Sequence, residues 1–399
     1  MYKLYCRSFQ QVMKVSAAFL PWRVPELITG ENSVADLPGL IAKRGIDTVL
    51  IITDQGIIAT GLMEGLLEGL QREKIRYAIY DRTVPNPTID QIEEALQLYH
   101  ESGASGIIAF GGGSPIDCAK GVGARVARPT KSIPNMKGIL KVRGQMPPLF
   151  AVPTTSGTGS EATLACVVSN SKTHEKYAMM DPVLIPHVAV LDPVLTVNLP
   201  KHITATTGMD ALTHAVEAYI GKSATKQTRQ WSIEAVKLIY ENLYEAYLNG
   251  DNLRARDNMQ KAAYLAGMAF TRAYVGNIHA IAHTLSGFYN VPHGLANAVI
   301  MPHVLEHYGK AIHEPLANLA DAAGVSNAFD TTEQKAVAFI QSIKTLNEKM
   351  AIPSTIDCIV ERDIPMMVKR ALQEANPLYP VPKIFGKKDM EGIIRRIVR

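Results

Sequence analysis

The chain has 399 residues, of which 47% are hydrophobic and 20% are charged, and its formal net charge is +4. This composition is ordinary for a globular enzyme of two or three domains, and the positive charge is too mild and too evenly spread for a protein that binds nucleic acid or an anionic membrane surface. Its apolar runs fall well short of the roughly 20 residues of a membrane span, so no membrane partner is expected.

From residue 48 to residue 191, strand-like and helix-like segments alternate. The strand-like segments are short, apolar and rich in β-branched residues, which is typical of strands buried on both faces of a parallel sheet. They occupy residues 48–53, 76–80, 106–110, 149–152 and 188–191. The helical segments between them occupy residues 61–71, 89–101 and 115–128. This alternation predicts an α/β domain with a mostly parallel sheet.

After Pro193 the pattern becomes helical, and strand-like alternation is scarce. Helices are predicted at residues 213–220, 230–248, 255–272, 277–289, 295–308, 331–350 and 365–375. Pro193 and Pro200 punctuate the change, so the boundary is placed between Asp192 and Pro200. We therefore predict an α/β domain over residues 1–195 and an all-helical domain over residues 196–399.

The cysteines lie far apart and form no Cys-x-x-Cys pair; they are Cys6, Cys118, Cys166 and Cys358. In a chain of this size they are more typical of reduced thiols than of a disulfide framework. The apolar stretch at residues 15–20 is short and is followed by Pro21 instead of a small-residue cleavage site, so it is interpreted as part of the mature protein. Together these features predict a cytoplasmic protein.

A glycine-rich loop, Gly-Gly-Gly-Ser-Pro at residues 111–115, follows the third predicted strand and opens a helix. Three consecutive glycines let the backbone approach an anion closely, and the free amides of a helix start favour phosphate. Ser114 suits the N-cap, and Asp117 would complete a Ser-x-x-Asp capping pattern. The loop predicts a pyrophosphate site; the alternative is a tight turn without a ligand.

Two further features follow predicted strands, where open α/β sheets bind ligands. The loop at residues 153–161, Pro-Thr-Thr-Ser-Gly-Thr-Gly-Ser-Glu, offers hydroxyl and amide donors to phosphate or ribose. Asp54 ends the first strand, where a carboxylate accepts hydrogen bonds from an adenosine ribose and repels the 2′-phosphate of NADP. A solvated serine-rich loop and a plain turn aspartate are the structural alternatives.

One carboxylate and four histidines form two clusters in the second half of the chain. Asp210 and His214 are four residues apart, as are His279 and His283, and His293 follows. Residues four apart share a helix face, and a carboxylate with imidazoles and no thiolate suits Fe(II), Zn(II) or Mn(II). Three or four of the five are predicted to bind a divalent metal; helical geometry favours the pair His279 and His283, while spacing leaves His293 open. The unclustered histidines are interpreted as surface or structural: His174, His187, His202, His303, His307 and His313.

These motifs together resemble the iron-containing, group III alcohol dehydrogenase family. The resemblance covers roughly residues 26–350 and rests on an ordered series of motifs: Asp54, Asn-Pro-Thr at 86–88, the glycine loop with Asp117 and Lys120, residues 153–161, Asp-Pro at 192–193, Gly-Met-Asp-Ala at 208–211 with His214, and the block from His279 to His293. It implies an N-terminal Rossmann-like α/β domain followed by an all-α domain. Residues 1–25 then form an extension beyond the common core, expected to be helical.

The resemblance also implies the site residues and cofactors. The metal is expected to be Fe(II), with Zn possible, and the dinucleotide NAD. The implied metal ligands are Asp210, His214, His279 and His293, and His283 becomes a catalytic residue near the nicotinamide. The dinucleotide site is predicted to comprise Asp54, Asn86, Gly112, Gly113, Ser114, Asp117, Thr154, Thr155, Lys176 and Leu195.

The predicted activity is hydride transfer between a primary alcohol and NAD, or the reverse reduction of an aldehyde, with the metal polarising the substrate oxygen. Alternatives with the same fold are a glycerol-type polyol dehydrogenase, disfavoured by Ala165 where some relatives carry a polar residue, and a maleylacetate reductase, disfavoured by the complete ligand set. A non-haem iron oxygenase or metal hydrolase would leave the glycine loop unexplained. A homodimer is expected from the family.

Overall fold

The structure, a computed structural model, describes residues 1–171 and 175–399, so His174 lies outside the described residues. The described chain divides into two compact units. An α/β unit comprises Pro21–Asn198, and a helical unit comprises Met1–Leu20 together with Leu199–Arg399.

The strands all lie in the α/β unit. They are β1 (Glu26–Thr29), β2 (Thr48–Ile52), β3 (Arg76–Tyr80), β4 (Gly106–Gly111), β5 (Gly138–Ile139), β6 (Leu149–Pro153), β7 (Ala165–Asn170), β8 (Glu175–Met180) and β9 (Val188–Leu191). Six of them form a parallel sheet in the order β1-β9-β6-β4-β2-β3. Strands β2, β4 and β6 are buried along their whole length, which explains their continuous apolar sequences. The predicted parallel sheet is confirmed.

The helices before residue 130 are α1 (Tyr2–Ala17), α2 (Leu37–Lys43), α3 (Gln55–Thr60), α4 (Glu64–Arg72), α5 (Ile89–Glu101) and α6 (Gly113–Ala127). The helix predicted at residues 61–71 corresponds to α4, but its start was placed three residues too early and the short helix α3 before it was missed. Gly61 adopts φ +72°, a left-handed conformation that ends α3, and α4 begins separately three residues later.

A second, small sheet was not predicted. Strands β7 and β8 pair antiparallel, and β5 pairs with β8. Burial alternates along the first part of β7, where Cys166 and Val168 are buried, but the partly exposed Val167 between them is apolar as well. The sequence therefore lacks the apolar–polar alternation by which a half-buried strand is recognised.

The glycine loop corrects one local prediction. Helix α6 begins at Gly113 with Gly112 as its N-cap, so Ser114 lies inside the helix and the predicted Ser-x-x-Asp capping pattern is wrong. Gly111 has φ +146°, and a Cβ on Gly113 would lie 2.8 Å from Cγ2 of Thr158. The N-cap therefore lies two residues before the serine, and Gly113 leaves room for the close approach of Thr158.

The helical unit contains α7 (Lys201–Ile220), α8 (Lys226–Leu248), α9 (Leu253–Ala273), α10 (Asn277–Tyr289), α11 (His293–Tyr308), α12 (His313–Ala322), α13 (Thr332–Lys349), α14 (Ile364–Ala375) and α15 (Lys387–Arg396). Helix α7 is buried on nearly every side over its second half, and it packs against α8, α9 and α11. In the described ranges no helix is both long and apolar enough to cross a membrane.

Helix α1 also belongs to the helical unit, which differs from the predicted assignment of residues 1–195 to the α/β domain. Cys6 is fully buried in the core of the helical unit, and Arg7 donates hydrogen bonds to the carbonyls of Val381 and Pro382. The prediction followed sequence adjacency, whereas the apolar contacts of α1 and its hydrogen bonds to residues near the C-terminus determine where it packs.

His187 immediately precedes β9, and its Nδ1 accepts a hydrogen bond at 3.1 Å from the N–H of Leu149, the first residue of β6. Burial, followed by the positive charges of Arg23 and Arg44, lowers the pKa of His187 to about 4. The unfolded-state pKa is about 6.5, so the folded protein binds a proton at His187 less readily than the unfolded chain does. The free energy of unfolding therefore decreases as the pH falls from about 6.5 towards 4.

We expect protonation of His187 to cost about 1–2 kcal/mol at pH 5, after discounting for its partial exposure to water. His187→Asn keeps an acceptor for the Leu149 amide and does not titrate. The melting temperature of the variant should therefore fall less than that of the wild type between pH 7 and pH 5. Equal decreases in both proteins would contradict this role for His187.

Candidate active site

Three helices bring four potential metal ligands together. Asp210 and His214 lie one turn apart on α7, His279 lies in the first turn of α10, and His293 is the first residue of α11. One ligand atom from each of the four lies within 4.8 Å of the others. Asp210, His214 and His279 are almost completely buried. The structure thus assembles the set that the family resemblance implied, whereas the sequence-based preference for His279 with His283 does not match the cluster.

The separations fit a single small cation. Oδ1 of Asp210 lies 3.5 Å from Nε2 of His293 and 3.9 Å from Nε2 of His279. Ligand atoms about 2.0–2.1 Å from a tetrahedral metal lie about 3.4 Å apart, so small adjustments would bring these atoms to bonding distance. The amide nitrogen of Asn297 lies among them, 2.7 Å from Oδ1 of Asp210 and 3.2 Å from each Nε2 atom. The donor set of one carboxylate and three imidazoles suits Fe(II) or Zn(II).

Glu217, one turn beyond His214 on α7, fixes the orientation of His279. Its carboxylate accepts hydrogen bonds from Nδ1 of His279 at 2.7 Å, from the Gly276 N–H at 2.7 Å and from the Ile278 N–H at 2.8 Å. With the proton on Nδ1, the Nε2 lone pair of His279 faces Asp210. This carboxylate–histidine arrangement selects the metal-binding tautomer and raises the basicity of the ligand nitrogen.

Aromatic stacking fixes the plane of His214. Its ring stacks on Phe270 of α9 with the centroids 4.1 Å apart, and on His279 with the centroids 4.6 Å apart. Phe270 therefore places an apolar ring directly beside a candidate metal ligand.

Gly294 permits the close approach of α11 to α7. A Cβ at this position would lie 2.2 Å from the backbone oxygen of Thr206 and 3.4 Å from Cβ of Asp210. A clash with backbone cannot be relieved by side-chain rotation. The glycine after His293 therefore allows that histidine to sit opposite Asp210.

His283 lies beside the cluster and has a different partner. Its Nδ1 is 2.5 Å from Oε1 of Glu374 on α14, and Tyr379 donates its hydroxyl to the same oxygen at 2.8 Å. The His283 ring stacks near that of His293, with the centroids 5.1 Å apart. His283 and Glu374 are both partly exposed. The side chains of His283, Glu374 and Tyr379 thus form a hydrogen-bonded chain beside the candidate metal ligands that reaches solvent.

The predicted dinucleotide residues follow the carboxyl ends of neighbouring parallel strands. Asp54 follows β2, the glycine loop follows β4, the loop with Thr154 and Thr155 follows β6, and Leu195 follows β9. The chain adds β3 on one side of β2 and then β4 on the other. Asp54 and the glycine loop therefore flank a topological switch point, the usual ligand position in such sheets.

The glycine loop packs closely against its neighbours. A Cβ on Gly112 would lie 3.4 Å from Thr155, and one on Gly111 would lie 3.6 Å from Oδ2 of Asp54. Oδ1 of Asp54 caps α3 by accepting the Ile57 N–H at 3.0 Å. The geometry thus brings the Asp54 carboxylate, the glycine loop and the threonine loop to one edge of the sheet.

Three more of the predicted dinucleotide residues are linked by hydrogen bonds beside the glycine loop: Asn86, Ser114 and Lys176. The Asn86 N–H donates to Oγ of Ser114 at 3.3 Å, and Nζ of Lys176 donates to Oδ1 of Asn86 at 2.6 Å. The side chain of Leu195 instead packs in an apolar core of the α/β unit.

Asp117 and Lys120 attach the threonine loop to α6. The Asp117 carboxylate accepts the Ser160 hydroxyl at 2.8 Å and the Val167 N–H at 3.1 Å. Lys120 is fully buried and donates to Oγ of Ser160, to the carbonyl and hydroxyl of Thr163 and to the carbonyl of Ala165. Burial raises the pKa of Asp117 and lowers the pKa of Lys120. Both oxygens of Asp117 are engaged in holding the loop.

Three residues of the candidate site were missed in the sequence. Spacing could have identified Glu217, because it lies three residues after His214 and shares a helix face with it. Asn297 lies four residues after His293, which is a weaker indication. No sequence pattern indicates Glu374, since 91 residues separate it from His283.

Comparison with known proteins agrees with this geometry. Residues 25–193 match the family model described as "Iron-containing alcohol dehydrogenase", and residues 204–398 match that described as "Fe-containing alcohol dehydrogenase family, C-terminal". The chain belongs to the iron-containing alcohol dehydrogenase family. The two matches meet at the boundary between the α/β and helical segments and leave α1 outside.

Relatives within the iron-containing alcohol dehydrogenases cover almost the whole chain. A 1,3-propanediol dehydrogenase from Citrobacter freundii is 37% identical over 371 residues, which cover 92% of this chain and 95% of the relative. An NAD-dependent methanol dehydrogenase from Bacillus methanolicus is 34% identical over 94% of this chain and 98% of its own. The solved structure of a 1,3-propanediol oxidoreductase superposes with a TM-score of 0.91 at 35% identity, covering 95% of this chain and all of the other.

Membership in the iron-containing alcohol dehydrogenases confirms several predictions. The chain has the predicted fold class, and it is an oxidoreductase that acts on the CH–OH group of alcohols or on the corresponding carbonyl. Iron is the metal of the family by its description, and the Asp-His₃ cluster provides a suitable set of ligands.

Proposed function

We propose that this protein is an NAD-dependent alcohol dehydrogenase that oxidises short primary alcohols and reduces the corresponding aldehydes. The observation that carries the proposal is the buried cluster of Asp210, His214, His279 and His293, with Glu217 orienting one of its histidines. In this proposal the four residues hold Fe(II), with Zn(II) as a functional substitute. When bound, the metal supplies a Lewis acid for the substrate oxygen and NAD supplies the hydride acceptor.

The side chains of the helical unit would bind the metal and remove the substrate proton. The carboxylates of Asp210 and Glu217 are buried beside these histidines, and a divalent ion at this place would offset the cost of burying their negative charge. His283 lies beside His293 and hydrogen-bonds to Glu374. In the oxidation direction we assign His283 as the group that accepts the hydroxyl proton, through a direct contact or one water, with Glu374 holding the imidazole in position.

The α/β unit would hold the dinucleotide at the edge formed by Asp54, the glycine loop and the threonine loop. Amides at the start of α6 suit the pyrophosphate, and the residues assigned to this site are those predicted from the sequence. Asp117 contributes by fixing the threonine loop through Ser160, and not through a free carboxylate. The name of the Bacillus methanolicus relative supports NAD as the dinucleotide.

Asp54 should set the preference for NAD over NADP. A carboxylate beside a 2′-phosphate is repulsive and loses ribose hydrogen bonds worth roughly 1.5–3 kcal/mol, so catalytic efficiency should favour NAD by about tenfold or more. Asp54→Asn keeps an N-cap acceptor for α3 and removes the charge, whereas Asp54→Gly removes both. Both variants should narrow the preference, and Asp54→Gly should also lower the melting temperature. Equal use of both cofactors by the wild type would exclude this role.

The substrate is proposed to be a short primary alcohol, with a terminal diol such as 1,3-propanediol also accepted. The stacking of Phe270 on His214 places apolar surface beside the metal ligands, and the Citrobacter freundii relative is named for 1,3-propanediol. Each buried methylene contributes up to about 0.8 kcal/mol, so efficiency should rise by tens of fold over a few methylenes.

A direct test measures NADH formation by the Fe(II)-loaded protein with methanol, ethanol, butanol, 1,3-propanediol and glycerol, and NADH consumption with the aldehydes. We expect butanol and 1,3-propanediol to exceed glycerol at equal concentration. Higher efficiency with glycerol would contradict the substrate proposal and favour a polyol dehydrogenase. No nicotinamide-linked turnover with any alcohol or aldehyde would contradict the proposed function as a whole.

We also propose a cytoplasmic homodimer. The cysteines are unpaired in the structure and three of them are buried, which suits a reducing compartment. Twofold dimers are the commonest symmetric assemblies. Sedimentation as a monomer at micromolar concentration would contradict the dimer, and export of the tagged protein from its host cell would contradict the location.

A further inference from the structure

The segment that joins α14 to α15 lies close to α10, the helix that carries His279 and His283. Its residues 376–383 read Asn-Pro-Leu-Tyr-Pro-Val-Pro-Lys. Tyr379 donates to Glu374, the partner of His283. Val381 lies next to Gly276 at the start of α10, where a Cβ on the glycine would be 3.5 Å from Cγ1 of the valine. The position of this segment therefore bears on the orientation of His283.

Three prolines leave this segment poor in backbone donors, so it cannot be held by a regular ladder of hydrogen bonds. Its buried carbonyl oxygens require partners from elsewhere. Helix α1 supplies most of them. Nε2 of Gln10 donates to the carbonyls of Tyr379 at 2.7 Å and Pro377 at 3.1 Å. The Arg7 guanidinium donates to the carbonyls of Val381 at 2.7 Å and Pro382 at 3.0 Å.

These contacts are made by a buried face of α1. Gln10 is only 5% exposed, and Cys6, one turn earlier, is fully buried in the core of the helical unit. Lys3, at the start of α1, and Gln11, next to Gln10, are exposed. The match to the family model begins at residue 25, so α1 lies outside the matched residues.

We propose that α1 is a strap that holds the proline-rich segment so that Tyr379 and Glu374 keep His283 in its catalytic orientation. Gln10 and Arg7 are then positioning residues that act through the backbone of residues 377–382. The inference rests on the proposed role of His283. A simple anchoring helix would contribute to stability alone, whereas a strap contributes to turnover through Tyr379.

Matched substitutions at contacting and exposed residues of α1 separate these possibilities. Gln10→Leu keeps a side chain of comparable volume and removes the two hydrogen bonds that Gln10 donates and the one that it accepts from Arg7. Gln11→Leu is the same substitution at an exposed residue one position away. General acid–base catalysis contributes about 10²–10⁴-fold, so partial misorientation of His283 should lower kcat by about tenfold in Gln10→Leu, with KM within about twofold. Gln11→Leu should match the wild type.

A second readout does not depend on activity. The amides of Tyr379 and Val381 are hydrogen-bonded within the segment, to the carbonyls of Ala375 and Tyr379 respectively. Hydrogen exchange in the metal-free protein should be about tenfold faster at these amides in Gln10→Leu than in Gln11→Leu, because local opening becomes easier. If Gln10→Leu does not fold, Arg7→Met with Lys3→Met as its control tests the same contacts.

A double-mutant cycle with Tyr379→Phe completes the test. If Gln10 acts through the tyrosine, Gln10→Leu should lower kcat by less than about twofold in the Tyr379→Phe background, since coupled residues are not additive. Full additivity, or unchanged kcat in Gln10→Leu whatever its hydrogen exchange, would overturn the strap while leaving the proposed function intact. Unchanged kcat in Glu374→Gln would instead refute the role of His283 and with it the strap.

Discussion

Replacing His279 with alanine is expected to abolish metal binding and alcohol dehydrogenase activity together. The imidazole is buried among the other candidate ligands, and its removal leaves an incomplete and weak site. Metal-site free energies of roughly 10–16 kcal/mol shared among four ligands imply a loss of about 10²–10³-fold in affinity for one ligand. The metal content of the purified variant and its kcat with a primary alcohol measure the two effects.

His307→Ala provides the matched control. His307 is also a helical histidine paired with a carboxylate, at 2.7 Å from Asp389, but it lies outside the cluster. This variant should retain one metal ion per chain and its activity. Full occupancy and activity in His279→Ala would remove that residue from the ligand set.

Glu217→Gln should weaken metal binding by about 10–100-fold, the usual effect of removing an outer partner of a metal-bound histidine. The carboxylate accepts three hydrogen bonds, from Nδ1 of His279 and two backbone amides. An amide nitrogen at the Oε1 position faces the Ile278 N–H, and one at the Oε2 position faces both the Gly276 N–H and Nδ1 of His279. In both orientations the His279 imidazole loses its charged acceptor. The expected response is loss of the tautomer that directs Nε2 of His279 toward the metal. Competition with a chelator gives the change in affinity.

Glu374→Gln makes the same chemical change beside His283, which is outside the ligand set. It should leave metal affinity within about threefold of the wild type and lower kcat by about tenfold or more, since it alters the partner of the proton-accepting His283 and not the partner of a candidate ligand. Comparable losses of metal affinity in the two glutamine variants would contradict the separate roles assigned to His279 and His283.

The sequence predicted the parallel sheet well because each buried strand can be recognised from its own apolar run. Residues 48–52 and 106–111 are continuous apolar runs, and such runs are buried on both faces in parallel sheets. Strand β1 was missed because it is short and largely exposed at the edge of the sheet. Helix α1 was expected, but its packing partner was not, because its contacts lie more than 360 residues away along the chain.

The metal cluster was predictable in composition but not in detail. Asp210 and His214 share a helix face, as do His279 and His283, so spacing alone could not rank the histidines. What distinguishes His279 from His283 is the carboxylate that each one meets. Glu217 is 62 residues from His279, and Glu374 is 91 residues from His283. Only the packing of α7, α10 and α14 reveals these pairs.

The central claim is that turnover depends on one divalent ion held by Asp210, His214, His279 and His293. The most direct measurement strips the protein with a chelator and follows NADH formation from butanol while Fe(II) is titrated back under anaerobic conditions. Activity should be absent at the start and rise linearly to a plateau at one equivalent per chain, and His279→Ala should show no such rise. Full activity in the stripped protein, or the same rise in His279→Ala, would contradict the account.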